Sequence, residues 1–186
     1  KPVNTLDFNE KKAVIKVLKT GILSKFVADP NNALNGGYYV QKFENNLKSY
    51  FKVKHAITIN SWTSGLVTII GAIGIENGDE VILSPWTMSA CLSSILAWGG
   101  VPIFADIDKK TFCIDPKQIE KKITKKTKAI MAIDIFGQSS DIDKINLIAK
   151  KKNITVISDT AQAIGSKYKG KFKNDVISCR KNGEFI

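Results

Sequence analysis

From His55 to Ser158 the sequence alternates short, β-branched apolar runs with helix-period segments, and this alternation restricts the fold more than any other feature of the chain. Strands are expected at His55–Asn60, Glu80–Ser84, Val101–Ala105, Lys128–Asp134 and Ile154–Ser158. Helices are expected between them, at 64–75, 87–98, 116–123 and 141–152. Strand–helix–strand order of this kind implies an α/β fold: a mostly parallel sheet flanked by helices. Ligands of such sheets sit beyond the carboxyl ends of the strands, so the loops that follow the strands are the places to search for chemistry.

The N-terminal region has a different pattern. Asp7 and Glu10 form a D-x-x-E cap, Val14, Ile15, Val17 and Leu18 make an apolar stripe, and Gly21 is a stop, which predicts a helix over Asp7–Thr20. A loop through Pro30, Asn31, Asn32 and Gly36-Gly37 follows, and then a second amphipathic segment with Phe43, Leu47, Tyr50 and Phe51. The expected organisation is therefore N-terminal helices and loop over 1–54 and a sheet domain over 55–186, without internal repeat or low-complexity linker. With 186 residues, 44% of them hydrophobic, the chain has the material for one sizeable core.

The formal charge of +11 raises the question of nucleic acid, but of 28 basic residues only Arg180 is an arginine. Lysine cannot reproduce the bidentate fork that reads base edges and phosphates. The richest run, Lys121 to Lys128, lies between a helix pattern and a strand pattern without interleaved aromatics, and reads as a solvated surface. Cys91, Cys113 and Cys179 are widely spaced, which fits a reducing compartment. No apolar run reaches the ~18 residues of a membrane span, and the N-terminus lacks the apolar core of a signal peptide. No nucleic acid, no membrane and a cytoplasmic location are the expectations.

Three segments at strand–helix junctions carry candidate chemistry. In Asn60-Ser61-Trp62-Thr63-Ser64-Gly65-Leu66, hydroxyls and free backbone N–H groups at a helix start make either an anion site or an ordinary Ser/Thr cap. The segment is neither a Walker loop nor G-x-G-x-x-G, which argues against a nucleoside triphosphate or a nicotinamide. In Ser84-Pro85-Trp86-Thr87-Met88-Ser89-Ala90, Trp86 or Met88 offers polarizable surface to the face of a flat ring, or both pack in the core. In Ile157-Ser158-Asp159-Thr160-Ala161-Gln162-Ala163, a carboxylate just past a strand is followed by an amide. Asp159 there either pairs with a protonated pyridine nitrogen, with Gln162 donating to a ring oxygen, or caps the following turn. His55, the sole histidine, is read as structural, Asp106, Asp108 and Asp115 as loop and cap residues, and no metal site is expected.

Taken in order, these segments resemble the DegT/DnrJ/EryC1/StrS family of pyridoxal-phosphate-dependent sugar aminotransferases. Residues 60–66 are similar to the family's N-S-x-T-S/A-A/G-L loop, and Gly78-Asp79-Glu80-Val81-Ile82 to its G-D-E-V-I strand. Val101 to Asp108 resembles its V-P-x-F-x-D-I/V-D strand, Lys125 to Asp143 its segment ending in G-Q-x-A/S-D-M/I-D, and Ser158 to Gly170 its E/D-D-A/T-A-Q-A-x-G-x-x-Y-x-G segment. The resemblance implies a truncated form of the large domain of fold-type I pyridoxal-phosphate transferases, its C-terminal small domain absent. It also implies pyridoxal 5′-phosphate as cofactor, nucleotide-sugar and amino-acid substrates with glutamate as donor, and a homodimer. By the same resemblance Thr63 and Ser64 bind the cofactor phosphate, Asp159 pairs with the pyridine nitrogen, and Gln162 contacts the ring hydroxyl. The ring-stacking position falls on Met88 when Thr87 is aligned, with Trp86 two residues earlier.

The Schiff-base lysine is the main departure. The family places it after a strand and a Ser- or aromatic-rich turn beyond the Y-x-G element. Here Val176-Ile177-Ser178-Cys179 echoes the strand, but no matching lysine motif follows, and Lys181 is assigned no catalytic role. The chain alone is therefore expected to be an inactive N-terminal fragment of an aminotransferase. The alternative is a degenerate, non-catalytic relative serving as a binding or dimerisation module. A generic doubly wound nucleotide-binding domain ranks last, because it requires a Gly-rich first turn that is missing.

Overall fold

The computed structural model describes residues 5–23, 25–26, 35–172, 177–181 and 184–185, with side chains described as far as residue 170. The loop residues 30–32 and Val176 of the sequence reading lie outside the described residues, as do the side chains of Cys179, Arg180 and Lys181. The chain divides into two compact units, Lys1–Thr58 and Ile59–Ile186.

In the first unit, α1 spans Phe8–Leu18 and starts as its cap sequence dictates. The Asp7 carboxylate accepts the N–H of Asn9 at 2.7 Å, and the Glu10 carboxylate accepts the N–H of Asp7 at 2.9 Å. No residue of α1 is buried, so the apolar stripe at Val14, Ile15 and Leu18 stays exposed. The second helix, α2 over Tyr38–Phe51, buries Phe51 and ends at Lys52 in the left-handed conformation.

His55–Asn60, expected as a strand, is irregular and pairs with no strand among the described residues. Alternation orients side chains but does not supply a ladder partner. Ile57 is accordingly 83% exposed, and the N–H and hydroxyl of Thr58 donate instead to the Glu44 carboxylate at 2.8 and 2.9 Å.

The second unit is built on a sheet in which β1 (Glu80–Leu83), β2 (Val101–Phe104), β3 (Thr127–Ile133) and β4 (Thr155–Asp159) run parallel. A small hairpin of β5 (Lys167–Tyr168) and β6 (Lys171–Phe172) follows. Next, β7 (Ile177–Lys181) and β8 (Glu184–Phe185) extend the main sheet antiparallel, giving the order β2-β1-β3-β4-β7-β8. The helices α3 (Trp62–Ala72), α4 (Ser89–Leu96), α5 (Pro116–Lys122) and α6 (Ile142–Lys152) cover it. The mostly parallel sheet flanked by helices is the architecture the sequence implies.

Strand periodicity assigns the faces. Val81, Leu83, Ala129, Met131, Ile133 and Ile157 share a cluster with Leu66 and Ile70 of α3 and Cys91 and Ile95 of α4. Their neighbours in sequence, Ile82, Ile130, Ala132 and Val156, join Ile119 of α5 and Ile142, Ile145 and Ile148 of α6. A sheet covered on both faces reads as continuous apolar runs, which is why Val81-Ile82-Leu83 and Ala129 to Ile133 contain no polar residue. Full burial of each large aliphatic side chain contributes about 1.5–3 kcal/mol.

The contact between α3 and the segment after α4 is close enough to require glycine. A Cβ on Gly71 would lie 2.2 Å from Cζ2 of Trp98, whose indole N–H donates to the Val67 carbonyl at 2.8 Å. The ring is pinned where the methyl would go. Gly71→Ala is expected to destabilise the chain by about 1–3 kcal/mol, the usual cost of overpacking, read as a lowered denaturation midpoint. Combining it with Trp98→Leu should recover part of that loss relative to the sum of the single changes.

Candidate functional site

At the carboxyl end of the parallel strands, the beginnings of α3 and α4 converge with the ends of β3 and β4 around a cavity of ≈ 110 Å³. Of the residues singled out by sequence, Thr63, Met88, Asp159 and Gln162 line it, while Ser64 and Trp86 do not. Trp62, Thr87, Cys91 and Ile133 complete much of the wall.

Asp159 is the last residue of β4 rather than the first residue past the strand. It stays in the ladder because it pairs with Ile177 of β7 and because its carbonyl accepts the N–H of Asp134 at 2.9 Å. Its side chain is two residues beyond Ile157, so it shares that residue's face and points toward α3 and α4. Although only 4% exposed, its carboxylate has donors from three directions. Oδ1 accepts the indole N–H of Trp62 at 2.8 Å and the backbone N–H of Ala161 at 3.1 Å. Oδ2 accepts the thiol of Cys91 at 3.3 Å. The bond from Ala161 is the turn cap and that from Trp62 the tertiary anchor, so both readings of Asp159 describe real contacts.

Cys91 is 2% exposed, and burial pushes its thiol up to about 12, against a lowering contact from Thr87 and a further rise from the Asp159 charge. The group is therefore a neutral, weak donor at physiological pH. Its partnership with Thr87, whose Oγ1 lies 3.1 Å from Sγ, follows from the i, i+4 spacing at the start of α4.

The start of α3 is capped by Ser61, whose Oγ accepts the N–H of Ser64 at 3.1 Å and lies 2.9 Å from the Ser64 hydroxyl. That cap occupies Ser64. The N–H groups of Trp62 and Thr63, the first two of the helix, have no intrahelical partner by geometry, and with Thr63 on the cavity wall they form its anion-favouring end. Gln162 reaches back to the turn after β3, where its Oε1 accepts the N–H of Phe136 at 2.8 Å. This fixes the amide so that its NH₂ is the end left to donate. Met88, the N-cap residue of α4, gives no side-chain cap and lines the wall. Trp86 stands away from the cavity lining, half exposed, with its ring centroid 6.3 Å from that of Phe112.

Other candidates have structural roles. Asp108 accepts the N–H of Lys110 at 2.7 Å, and Asp115 caps α5 through the N–H of Lys117 at 2.9 Å. Asp141 caps α6 and also accepts the Tyr168 hydroxyl at 3.0 Å, which ties the G-Q-S-S-D-I-D and Y-K-G segments together. Among the described residues no group of three or more His, Cys, Asp or Glu side chains converges as a metal site would, and no helix is long and apolar enough to cross a membrane.

Trp62 and Cys91 were not singled out from sequence. Trp62 sits at the variable position of the N-S-x-T pattern, and Cys91 looks like one more apolar helix residue. The i, i+4 pair of Thr87 and Cys91 was the one local signal for either.

Comparison with known proteins gives this geometry a context. The chain is 38% identical over 169 residues to a pleiotropic regulatory protein of Geobacillus stearothermophilus, covering 91% of this chain and 45% of that protein. It is 43% identical over 136 residues to GDP-perosamine synthase of Escherichia coli O157:H7, covering 73% and 37%. The crystal structure of NtdA from Bacillus subtilis with bound cofactor PMP superposes with a TM-score of 0.78 at 34% identity, covering 90% of this chain and 37% of that one. The chain thus spans less than half the length of these relatives. The model of the DegT/DnrJ/EryC1/StrS aminotransferase family matches residues 20–185, and the chain belongs to that family.

Proposed function

We propose that this chain forms the cofactor-binding part of an enzyme that moves an amino group from an amino acid, glutamate in the first instance, to a keto group on a nucleotide-linked sugar. The observation that carries the reading is the buried Asp159 carboxylate on the wall of a cavity that Trp62 and Thr63, the first residues of α3, also line. The named activity of GDP-perosamine synthase and the PMP of the NtdA structure, the amino form of pyridoxal phosphate, support it.

The residues present fit pyridoxal 5′-phosphate. The lining combines an anion-favouring helix start, a buried acceptor and the flexible side chain of Met88. When bound, the cofactor supplies an electron sink whose strength depends on a protonated ring nitrogen. Asp159 holds that proton at the nitrogen by accepting from it. Thr63 and the first N–H groups of α3 bind the phosphate, and Ser64 joins them by exchanging its contact with Ser61 for one with the ligand. Gln162 donates its NH₂ to the ring oxygen. Met88 covers one ring face, since it lines the cavity while Trp86 packs toward Phe112.

No residue of this chain is assigned as the reactive lysine, and Lys181, at the end of β7, receives none of its roles. The residues of 59–186 hold the ligand by phosphate and ring contacts alone, while 1–58 supplies the N-terminal helices. The assembly we propose is a homodimer. The buried cysteines Cys91 and Cys113 fit a cytoplasmic setting.

A second reading, a non-catalytic binding or dimerisation module, is favoured by the similarity to the pleiotropic regulatory protein. Treating the chain with pyridoxal phosphate and then borohydride separates the two. Binding without stoichiometric reduction onto a lysine is expected of a cradle without its lysine, reduction onto one lysine would locate that residue in this chain, and no binding would favour the regulatory module. Asp159→Asn should weaken pyridoxamine 5′-phosphate binding by roughly tenfold or more, the scale of a lost hydrogen bond to a charged group. Thr63→Val, which leaves the backbone donors in place, should cost less, as judged by calorimetric titration.

A further inference from the structure

The carboxylate of Asp159 is held asymmetrically, and the asymmetry decides which oxygen meets a ligand. Oδ1 already accepts two well-formed N–H bonds, from Trp62 at 2.8 Å and from Ala161 at 3.1 Å, which fills the capacity of one carboxylate oxygen. Among the described residues, Oδ2 has only the thiol of Cys91, at 3.3 Å. A thiol is a weak donor, so Oδ2 retains most of its accepting power. Burial keeps that thiol protonated up to about 12, so the contact does not change character near neutral pH.

The two anchoring side chains come from different helices, and neither depends on the turn that follows β4. Trp62 is the first residue of α3, beside the Thr63 end of the cavity, and Cys91 lies on the first turn of α4, packed in the core with Ile157. A carboxylate tethered only through Ala161 would rotate about its Cα–Cβ and Cβ–Cγ bonds. With the indole on Oδ1 that rotation is stopped.

Building on the proposed cofactor site, we infer that Trp62 and Cys91 are positioning residues that lock the Asp159 carboxylate, Trp62 by anchoring Oδ1 and Cys91 by leaving Oδ2 presented to the N–H of a protonated heteroaromatic ring. Trp62 is the stronger of the two. Its role is to orient a group that touches the ligand.

The test uses the chain with pyridoxamine 5′-phosphate, which carries no aldehyde and so needs no lysine, labelled with nitrogen-15 in the ring. The ring nitrogen of bound ligand is expected to stay protonated from about pH 6 to about pH 9, read from its chemical shift. In Trp62→Phe, affinity should fall roughly tenfold and the nitrogen should titrate within that window. Trp62→His should restore much of both, because its Nε2 stands as many bonds from Cβ as the indole Nε1 and can carry a proton. Cys91→Ala should change affinity less than Trp62→Phe.

If Trp62→Phe binds as the unaltered chain does, with an unchanged nitrogen shift, the positioning role is wrong while the cofactor site stands. A larger loss in Cys91→Ala than in Trp62→Phe would reverse the assignment of the two oxygens and overturn the inference. Failure of Trp62→His to recover either readout, with its unfolding midpoint unchanged, would reduce Trp62 to a packing residue. If the unaltered chain does not bind the ligand at all, both the site and this inference fall.

Discussion

The hydrogen bond from the Trp62 indole to Asp159 joins the start of α3 to the end of β4, and the geometry of the site depends on it. A carboxylate buried to this degree costs several kcal/mol unless donors surround it, so its position is stable only while the elements that bring those donors remain in place. Trp62 must be at the first turn of α3, which the Ser61 cap secures. Ile157, two residues earlier on β4, must face α3 and α4, which the two-residue period of the strand secures. Each requirement is met by a local rule, and their coincidence at one carboxylate is tertiary.

The four parallel strands and the four helices around them were legible because short apolar runs alternate with helix-period segments, even though β2 at the sheet edge leaves Val101 and Phe104 exposed. The same cue misled at His55–Asn60. Ile57 and Ile59 alternate with polar residues as a half-buried strand would, yet both are exposed, because a period of two says which way side chains point and nothing about whether a partner edge exists. The loop residues were legible for another reason. Thr63, Met88, Asp159 and Gln162 all follow or end strands or begin helices at one rim of a parallel sheet, and topology alone brings such positions together.

Trp62 and Cys91 could not be found in this way. They meet Asp159 across 97 and 68 residues of sequence, and each would be unremarkable where it stands in its own helix. Ser64 shows the converse. It belongs to the motif by position, but the cap geometry of its helix engages both its N–H and its hydroxyl with Ser61. A motif states which residues are near a function; the hydrogen bonds decide which of them face the ligand and which hold the others.

Two carboxylates at adjacent strand ends make the same distinction more sharply. Asp134 follows β3 directly, and its backbone N–H donates to the carbonyl of Asp159 at 2.9 Å, so the two stand side by side. Both are buried, Asp134 completely. Asp134, however, has the opposite parity from Ile133, and its Oδ1 accepts the N–H and the hydroxyl of Ser140, both at 2.8 Å, in the turn that leads to α6. These bonds close a local loop and hold the turn in shape. Asp159 takes its donors from α3, α4 and its own turn and faces the cavity. Burial and a position at a strand end are common to both, so neither property identifies a ligand-binding acid; the face of the sheet and the origin of the donors separate the residue that holds the fold from the one suited to hold a ligand.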